Sequence, residues 1–328
     1  MSYAATLRKS RNPLGLVAWV GRSAVESLGY VGGVTILLLS VTGSLIWPWK
    51  SRREEGVPGF TRSLMHQLSW MLFMGIPTVG LAHIAVGSFL ALQAYYGSTF
   101  VDGTGAVVGV GLLRNLGGIM SGMIFAGILA ARMIPELRMV SRHASLEEPG
   151  AEPLPPSSAT RRGSRDASDG EPAPAIVFSV NRLAAPRVAA AAIACVLLSL
   201  WGITVGTVVG WKASESLMGL STEMFFMMML KMMWFRDVTS LIAKGVLFGA
   251  LPAAICCFDG LCATPIDDDR LAAGREMHRS HGLAPPCTVP VFRAACLSMV
   301  AILIMNSSWF ILVYHAVPFY GPTLLPQP

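Results

Sequence analysis

The stretch LSWMLFMGIPTVGLAHIAVGSFLALQAYY, residues 68–96, decides the fold class of this chain. It lies in a run without Asp, Glu, Lys or Arg that extends from Ser63 to Val101. A helix needs about 20 consecutive apolar residues to cross the hydrocarbon core of a bilayer. The stretch therefore predicts a transmembrane helix, with Pro77 as the position of a kink.

The composition extends this prediction to the whole chain. Of the 328 residues, 53% are hydrophobic and 13% are charged, whereas about a quarter of the residues of a soluble domain are charged. Several further uncharged runs are long enough to span a bilayer. We therefore expect an all-α, polytopic helical membrane protein.

The apolar runs and the segments between them predict an order of elements. We expect about five transmembrane helices, preceded by an N-terminal interfacial elbow helix whose second half, 29–48, is also long enough to span. Pro135 is expected to begin a short cytosolic helix. The predicted regions are the elbow region 1–62, the transmembrane domain 63–316, a disordered cytosolic insertion at 145–177, a cytosolic loop at 259–292 and a tail at 317–328.

The basic residues predict the orientation. Twenty of the 25 Lys and Arg residues fall in the segments 1–63, 131–187 and 259–293, and cytoplasmic loops carry such an excess. This predicts that the N-terminus lies in the cytoplasm and the C-terminus on the outer side of the membrane. The net charge of +6 does not indicate nucleic-acid binding, because no basic patch is interleaved with stacking aromatic residues.

Two opposite charges enter one apolar segment, RDVTSLIAKGVLFG at 236–249. Asp237 and Lys244 are seven residues apart, so they share a helix face and are separated by about 10 Å along the axis. We expect Lys244 to find its partner on another span or on a lipid phosphate, and Arg114, which opens a neighbouring span, to converge with both residues. Two interpretations stay open: contacts that hold helices together, or a direct functional role.

The sequence contains no recognisable catalytic machinery. A phosphate-binding GxxxxGK[ST] loop and a GxSxG elbow are both absent, so the chain is predicted to be neither an ATPase nor a serine hydrolase. Four residues of one loop could in principle hold zinc, but their spacing fits no compact ligand pattern and we predict no metal site. They are Cys262, His278, His281 and Cys287.

Three blocks resemble the MlaE (YrbE-like) permease family of lipid-transporting ABC systems. LLRNLGGIMSGMIFAGILAARMIPELRMV is similar to the family pattern LLRELGP…FAGR.G…AELG.M, without gaps from Leu112 through Glu136. VNRLAAPRVAA resembles the entry to the following span, with Arg187 at the family's Arg. RDVTSLIAKGVLFG resembles the D…..IKS.vF helix, with Asp237 and Lys244 at the family's Asp and Lys.

A fourth, weaker block resembles the family's last span. FRAACLSMVAILIMN aligns Arg293 with the family's Arg and Asn306 with its acidic residue. The resemblance covers roughly residues 15–140 and 178–316.

The resemblance implies a permease subunit, not an enzyme, that carries phospholipid or a similar lipid between the inner membrane and an MCE-domain protein. It implies a second permease copy, identical or not, and a separate cytosolic ABC ATPase that binds ATP and Mg; this chain itself would hold no cofactor. The residue roles that follow are a lipid path or gate at Arg114, Asp237, Lys244 and Asn306, ATPase coupling at Glu136 and Arg138, and interface or structural contacts at Arg187 and Arg293.

The chain also departs from the family pattern. Asn115 replaces a Glu, Ile128 replaces an Arg, and Arg138 replaces a Gly. These departures leave a second hypothesis, a structural or pseudo-permease subunit that pairs with another permease. A third is an ion-coupled secondary transporter.

Overall fold

The computed structural model describes residues 13–46, 60–96, 106–146, 183–261 and 288–316. The elements in these ranges are α1 Pro13–Ile46, α2 Phe60–Tyr96, α3 Gly117–Leu146, α4 Ala185–Met218, α5 Thr222–Met232, α6 Phe235–Leu261 and α7 Thr288–Phe310. Short π-helical segments, Ala106–Val110 and Leu112–Leu116, precede α3, and Ile311–Ala316 follows α7. The predicted all-α class is confirmed.

Six helical stretches within the described residues are long and apolar enough to cross a membrane. Five are the predicted spans: α2, α3 with its preceding π-helical turn, α4, α6 and α7. The sixth lies in α1, at Ser23–Leu45. The chain is therefore a multi-pass membrane protein, as the composition predicted.

Helices α2 and α4 lie side by side and run in the same direction. Gly75 faces Leu198, and twelve residues further on Gly87 faces the backbone of Gly206. A Cβ atom at Gly87 would collide with the Gly206 carbonyl oxygen, so glycine is required for this close approach. No hydrophobic driving force pushes transmembrane helices together within lipid. Small residues at their contacts stabilise the association because they let the backbones approach closely.

Helix α6 completes the centre of the bundle. It runs parallel to α3, because Phe248 packs on Gly122 and Leu137 packs near Gly260. It runs antiparallel to α4, where a Cβ at Gly249 would meet the Ala191 carbonyl oxygen. Helix α7 packs against α3 and α6.

These directions give the bundle two ends. The N-terminal ends of α2 and α4 lie beside the C-terminal ends of α3 and α6; we call this end of the bundle the Arg187 end. The opposite end, where α3 and α6 begin, is the Asp237 end. The two names carry no assignment to a side of the membrane.

The middle of α1 lies at the Arg187 end. The Tyr30 ring meets Phe258 edge-on with centroids 5.2 Å apart, and the Arg293 guanidinium lies 5.8 Å from the centre of the same ring. Helix α1 continues for 16 residues beyond Tyr30, about 24 Å. If α1 crossed the bilayer completely and ended at the level where α2 begins, its last residues would lie at the Arg187 end. The middle of α1 lies there instead. The contact supports the interfacial elbow, which stays a prediction.

Three boundaries differ from the sequence prediction. Helix α3 continues through Pro135, so the prediction of a new helix at this proline is wrong. Neighbouring Met133, Ile134 and Leu137 are fully buried, and this packing holds the helix together where proline removes one backbone donor. Helices α6 and α7 also extend into the predicted loop 259–292, of which 262–287 lies outside the described residues. Apart from the end of α3, the predicted insertion 145–177 lies outside them too.

Candidate functional site

An ion pair at the Asp237 end joins the start of α6 to the turn before α3. Arg114 Nε donates to Asp237 Oδ1 over 3.0 Å, and the carboxylate is completely buried, whereas 31% of the Arg114 side chain is exposed. The other carboxylate oxygen accepts from the Trp234 N–H at 3.0 Å. Asp237 therefore satisfies a free donor at the N-terminus of α6 and places its negative charge at the positive end of the helix dipole.

Arg114 also reaches a third element. Its second terminal nitrogen donates to the Met232 carbonyl oxygen over 3.0 Å. Met232 is the last residue of α5, where carbonyl groups lack partners within the helix. One guanidinium thus connects the turn before α3, the end of α5 and the start of α6.

Lys244 finds its partner on another helix, as predicted. Its ammonium donates to the backbone carbonyl oxygen of Arg114 over 3.0 Å, and the residue is only 2% exposed. Arg114 lies in the π-helical turn Leu112–Leu116. Where a π-helix passes into an α-helix, the bonding distance falls from five residues to four, so a carbonyl is left short of a backbone donor. The lysine supplies a donor at this junction.

Two amides extend the same cluster to α7. Asn306 Nδ2 donates to Asn115 Oδ1 over 2.9 Å, and one turn further along α7 the Trp309 indole donates to Ser240 Oγ over 2.6 Å. Four residues predicted from the sequence as a lipid path or gate are thus brought together: Arg114, Asp237, Lys244 and Asn306. The sequence reasoning missed Asn115, Ser240 and Trp309 as members, although Asn115 had been noticed as a replacement of a family Glu.

The Arg187 end holds a second set of ion pairs. Arg187 contacts Glu136 at 2.5 Å and also donates to the Leu183 carbonyl oxygen over 3.0 Å. This pair joins α3 to the start of α4. The pair supports the structural role predicted for Arg187. It also gives the Glu136 carboxylate a partner, although the Glu136 side chain remains 34% exposed.

A second pair joins α6 to α7. Arg293 donates to Asp259 Oδ1 over 2.9 Å; the aspartate is buried, and half of the arginine side chain is exposed. Arg138 is buried within electrostatic range of the same carboxylate. The sequence analysis placed Asp259 in a loop and missed it. Its spacing from Asp237 on one helix was the available signal.

The two sets of charges are separated by about the thickness of a hydrocarbon core. Asp237 and Asp259 are 22 residues apart on α6, which corresponds to about 33 Å along the axis, and the core of a typical bilayer is about 30 Å thick. The spacing of the two sets of charges therefore matches the spacing of the two lipid–water interfaces.

Metal binding has no support in the described part of the chain. No group of three or more His, Cys, Asp or Glu residues is arranged there to hold an ion. The four loop residues considered as zinc ligands lie outside the described residues. Cys195, Cys256 and Cys257 are free thiols buried in the bundle.

Comparison with known proteins agrees with the sequence blocks. The family described as Permease MlaE matches residues 176–271. A probable ABC transporter permease protein of Rickettsia typhi is 23% identical over 253 residues, covering 75% of this chain and 84% of the relative. A probable ABC transporter permease protein of Rickettsia prowazekii is 24% identical over 247 residues, covering 74% and 82%.

The matched family region contains α4, α5 and α6 and includes Arg187, Asp237 and Lys244. The similarity to the two relatives covers about three quarters of this chain. The chain is therefore similar to the MlaE permease family over residues 176–271 and to probable ABC transporter permeases over about three quarters of its length.

Proposed function

We propose that the chain is the permease subunit of an ABC transporter that moves phospholipid or a similar lipid. The names of its relatives, probable ABC transporter permease proteins, support the ABC assignment. In this proposal a second permease copy completes the membrane unit, an MCE-domain protein exchanges lipid with it on the outer side, and a separate cytosolic ATPase supplies the energy. The chain would be a transporter subunit and not an enzyme.

The observation that carries the lipid proposal is the buried ionic cluster at the Asp237 end. Ionisable groups within membrane helices are costly to insert, by about 2.5–3.5 kcal/mol at the centre on insertion scales. Here Arg114 pairs with Asp237 and is partly exposed, and Lys244 donates to the Arg114 carbonyl oxygen. In the proposed topology this end faces the outer leaflet, so these cations would meet a lipid headgroup as it leaves or enters the bundle.

Glu136 is the residue that the proposal assigns to ATPase coupling at the cytoplasmic Arg187 end. Its carboxylate is accessible while it is paired with Arg187. Arg138 is buried, so its contribution to coupling would be indirect, through the charges around Asp259.

The first experiment is purification of the tagged chain from native membranes under mild detergent. We expect an ABC ATPase and an MCE-domain protein to be recovered with it. Recovery of neither protein would refute the proposal.

A scaffold subunit is the second candidate function, and one observation favours it. Each of the charges in the Arg114, Asp237 and Lys244 cluster already contacts a partner within this chain. The same contacts would hold the helices together if a partner permease handled the lipid.

Lys244→Met separates the two functions. The variant removes a buried cation, keeps the side-chain length and leaves Arg114 and Asp237 as a neutral pair, so the bundle should stay folded. If the cation acts on lipid, ATP-dependent lipid transfer by the reconstituted complex should fall at least tenfold; Lys212→Met, at an exposed cation of the same end, should leave it unchanged. Unchanged transfer by a folded Lys244→Met complex would favour the scaffold.

A further inference from the structure

Near the Arg187 end, an arginine side chain stacks on the ring of a tryptophan. The Trp70 indole N–H donates to Gln67 Oε1 over 2.6 Å, and both residues are buried in α2. The Arg132 guanidinium of α3 lies 4.7 Å from the centre of the Trp70 ring. Because the glutamine fixes the orientation of the indole, the ring is a rigid platform for the cation.

The hydrogen-bonding groups of Arg132 are available to a ligand. Arg132 is exposed, and its guanidinium makes no hydrogen bond or ion pair with any residue that the structure describes. Stacking uses the face of a guanidinium and leaves its N–H donors at the edge, in a fork that matches the oxygens of a phosphate.

On its own helix, Arg132 has Glu136 one turn further on, and this carboxylate is already paired with Arg187. The α2 side chains near Arg132 are basic toward the Arg187 end and apolar in the other direction. Arg62 and His66 are exposed on α2, two turns and one turn before Trp70, toward the Arg187 end. Helix α2 contains no Asp or Glu, so these cations have no acidic neighbour on their own helix. In the opposite direction, toward the bilayer centre, the exposed side chains include Phe73 and Ile76.

We propose that Arg132 on Trp70, flanked by Arg62 and His66, binds the phosphate of an anionic phospholipid. The lipid would belong to the leaflet at the Arg187 end, with its acyl chains along Phe73 and Ile76. A basic group beside an exposed apolar helix face matches the anionic headgroup and the acyl chains of a lipid. A soluble acidic protein would contact the basic group but not the apolar face. Arg132 also lies within the apolar span Val108–Val140, at a depth that a headgroup can reach.

This site goes beyond the proposed function and does not depend on it. It faces the surrounding bilayer, so it would hold a lipid whether or not that lipid is transported. A failed transport assay would leave the site intact, and a failed binding assay would leave the transport proposal intact.

The test is lipid binding by the purified full-length chain in a neutral detergent. Phosphatidylglycerol and phosphatidylcholine are titrated separately, and bound lipid is counted by native mass spectrometry. We expect preference for phosphatidylglycerol, about tenfold weaker binding in Arg132→Gln, and an intermediate loss in Arg132→Lys, which keeps the charge but loses the fork. Lys231→Gln, at an exposed cation of α5, is the matched control and should bind like the parent.

Equal phosphatidylglycerol binding by Arg132→Gln and the parent would overturn the proposal. If this variant also loses a protein that copurifies with the parent, the surface is a protein interface instead. Because Arg132 is exposed, its substitution should not prevent folding, and circular dichroism of each variant checks this.

Discussion

Asp237→Asn should destabilise the bundle more than any neutralisation of an exposed charge. The carboxylate accepts two hydrogen bonds through its two oxygens, from Arg114 and from the Trp234 backbone. Asparagine has one acceptor oxygen, so its NH₂ group would face one of these two donors. The substitution also leaves Arg114 and Lys244 without a negative charge in the cluster.

The expected cost follows from these contacts. Removing one partner of a buried ion pair costs about 3–5 kcal/mol, but Arg114 is 31% exposed and keeps its bond to the Met232 carbonyl. Hydrogen bonds to charged groups contribute about 1.5–3 kcal/mol each, and one of them is lost. We therefore expect the free energy of unfolding to fall by about 2–3 kcal/mol.

The measurement is equilibrium unfolding in mixed detergent micelles, with a double-mutant cycle. Asp237→Asn, Arg114→Gln and the double variant are compared, and the cycle should give a coupling energy above about 1.5 kcal/mol. Glu215→Gln is the control, because its pair with Lys212 is exposed and such pairs contribute less than about 1 kcal/mol. A cost for Asp237→Asn no larger than that of Glu215→Gln would refute the reasoning.

Three further predictions concern other contacts of the bundle, each measured as the unfolding midpoint in the same detergent. Gly249→Val should destabilise by about 1–3 kcal/mol or prevent folding, because its Cβ would meet the Ala191 carbonyl oxygen, whereas Gly127→Val has open space around its Cβ; equal midpoints would contradict the close helix approach. Asp259→Asn should cost less than Asp237→Asn, since its half-exposed arginine partner can turn toward water; the reverse order would be evidence against this account. Trp309→Phe should cost about 0.6 kcal/mol through loss of one interhelical hydrogen bond, and a cost above about 2 kcal/mol would mean that the ring itself holds α7 in place.

Much of the fold could be predicted because hydropathy reports directly on membrane helices. The run around residues 68–96 became α2, and the apolar runs after it became α3, α4, α6 and α7. Pro135 does not end α3, because in a buried helix the packing of the neighbouring side chains outweighs one missing backbone donor. The extent of α1 was also harder to judge, since an interfacial helix and a spanning helix can have the same composition.

The members of the Asp237 cluster could be predicted, but their contacts could not. Charges in apolar segments are few, so Arg114, Asp237 and Lys244 stand out in the sequence. The acceptor for Lys244 is a backbone carbonyl in a π-helical turn, and backbone groups carry no sequence signal. Asn115 belongs to the cluster through its contact with Asn306, which lies almost 200 residues away in the sequence. The periodicity of a single helix carries no information about such a distant contact.

The position of Lys244 explains how a bundle this apolar tolerates a nearly inaccessible ammonium. Its Cα lies about 10 Å closer to the bilayer centre than that of Asp237. Side chains on a helix point toward its N-terminus, which for α6 is the Asp237 end, and a lysine side chain extends about 6 Å. An extended side chain therefore brings the charge to about 4 Å from the level of the Asp237 Cα, next to the Arg114 carbonyl that it contacts. Lys244 is buried in protein yet carries its charge close to the interface, so its insertion cost is well below that of a cation at mid-membrane, and the same direction brings it toward any headgroup that passes Arg114.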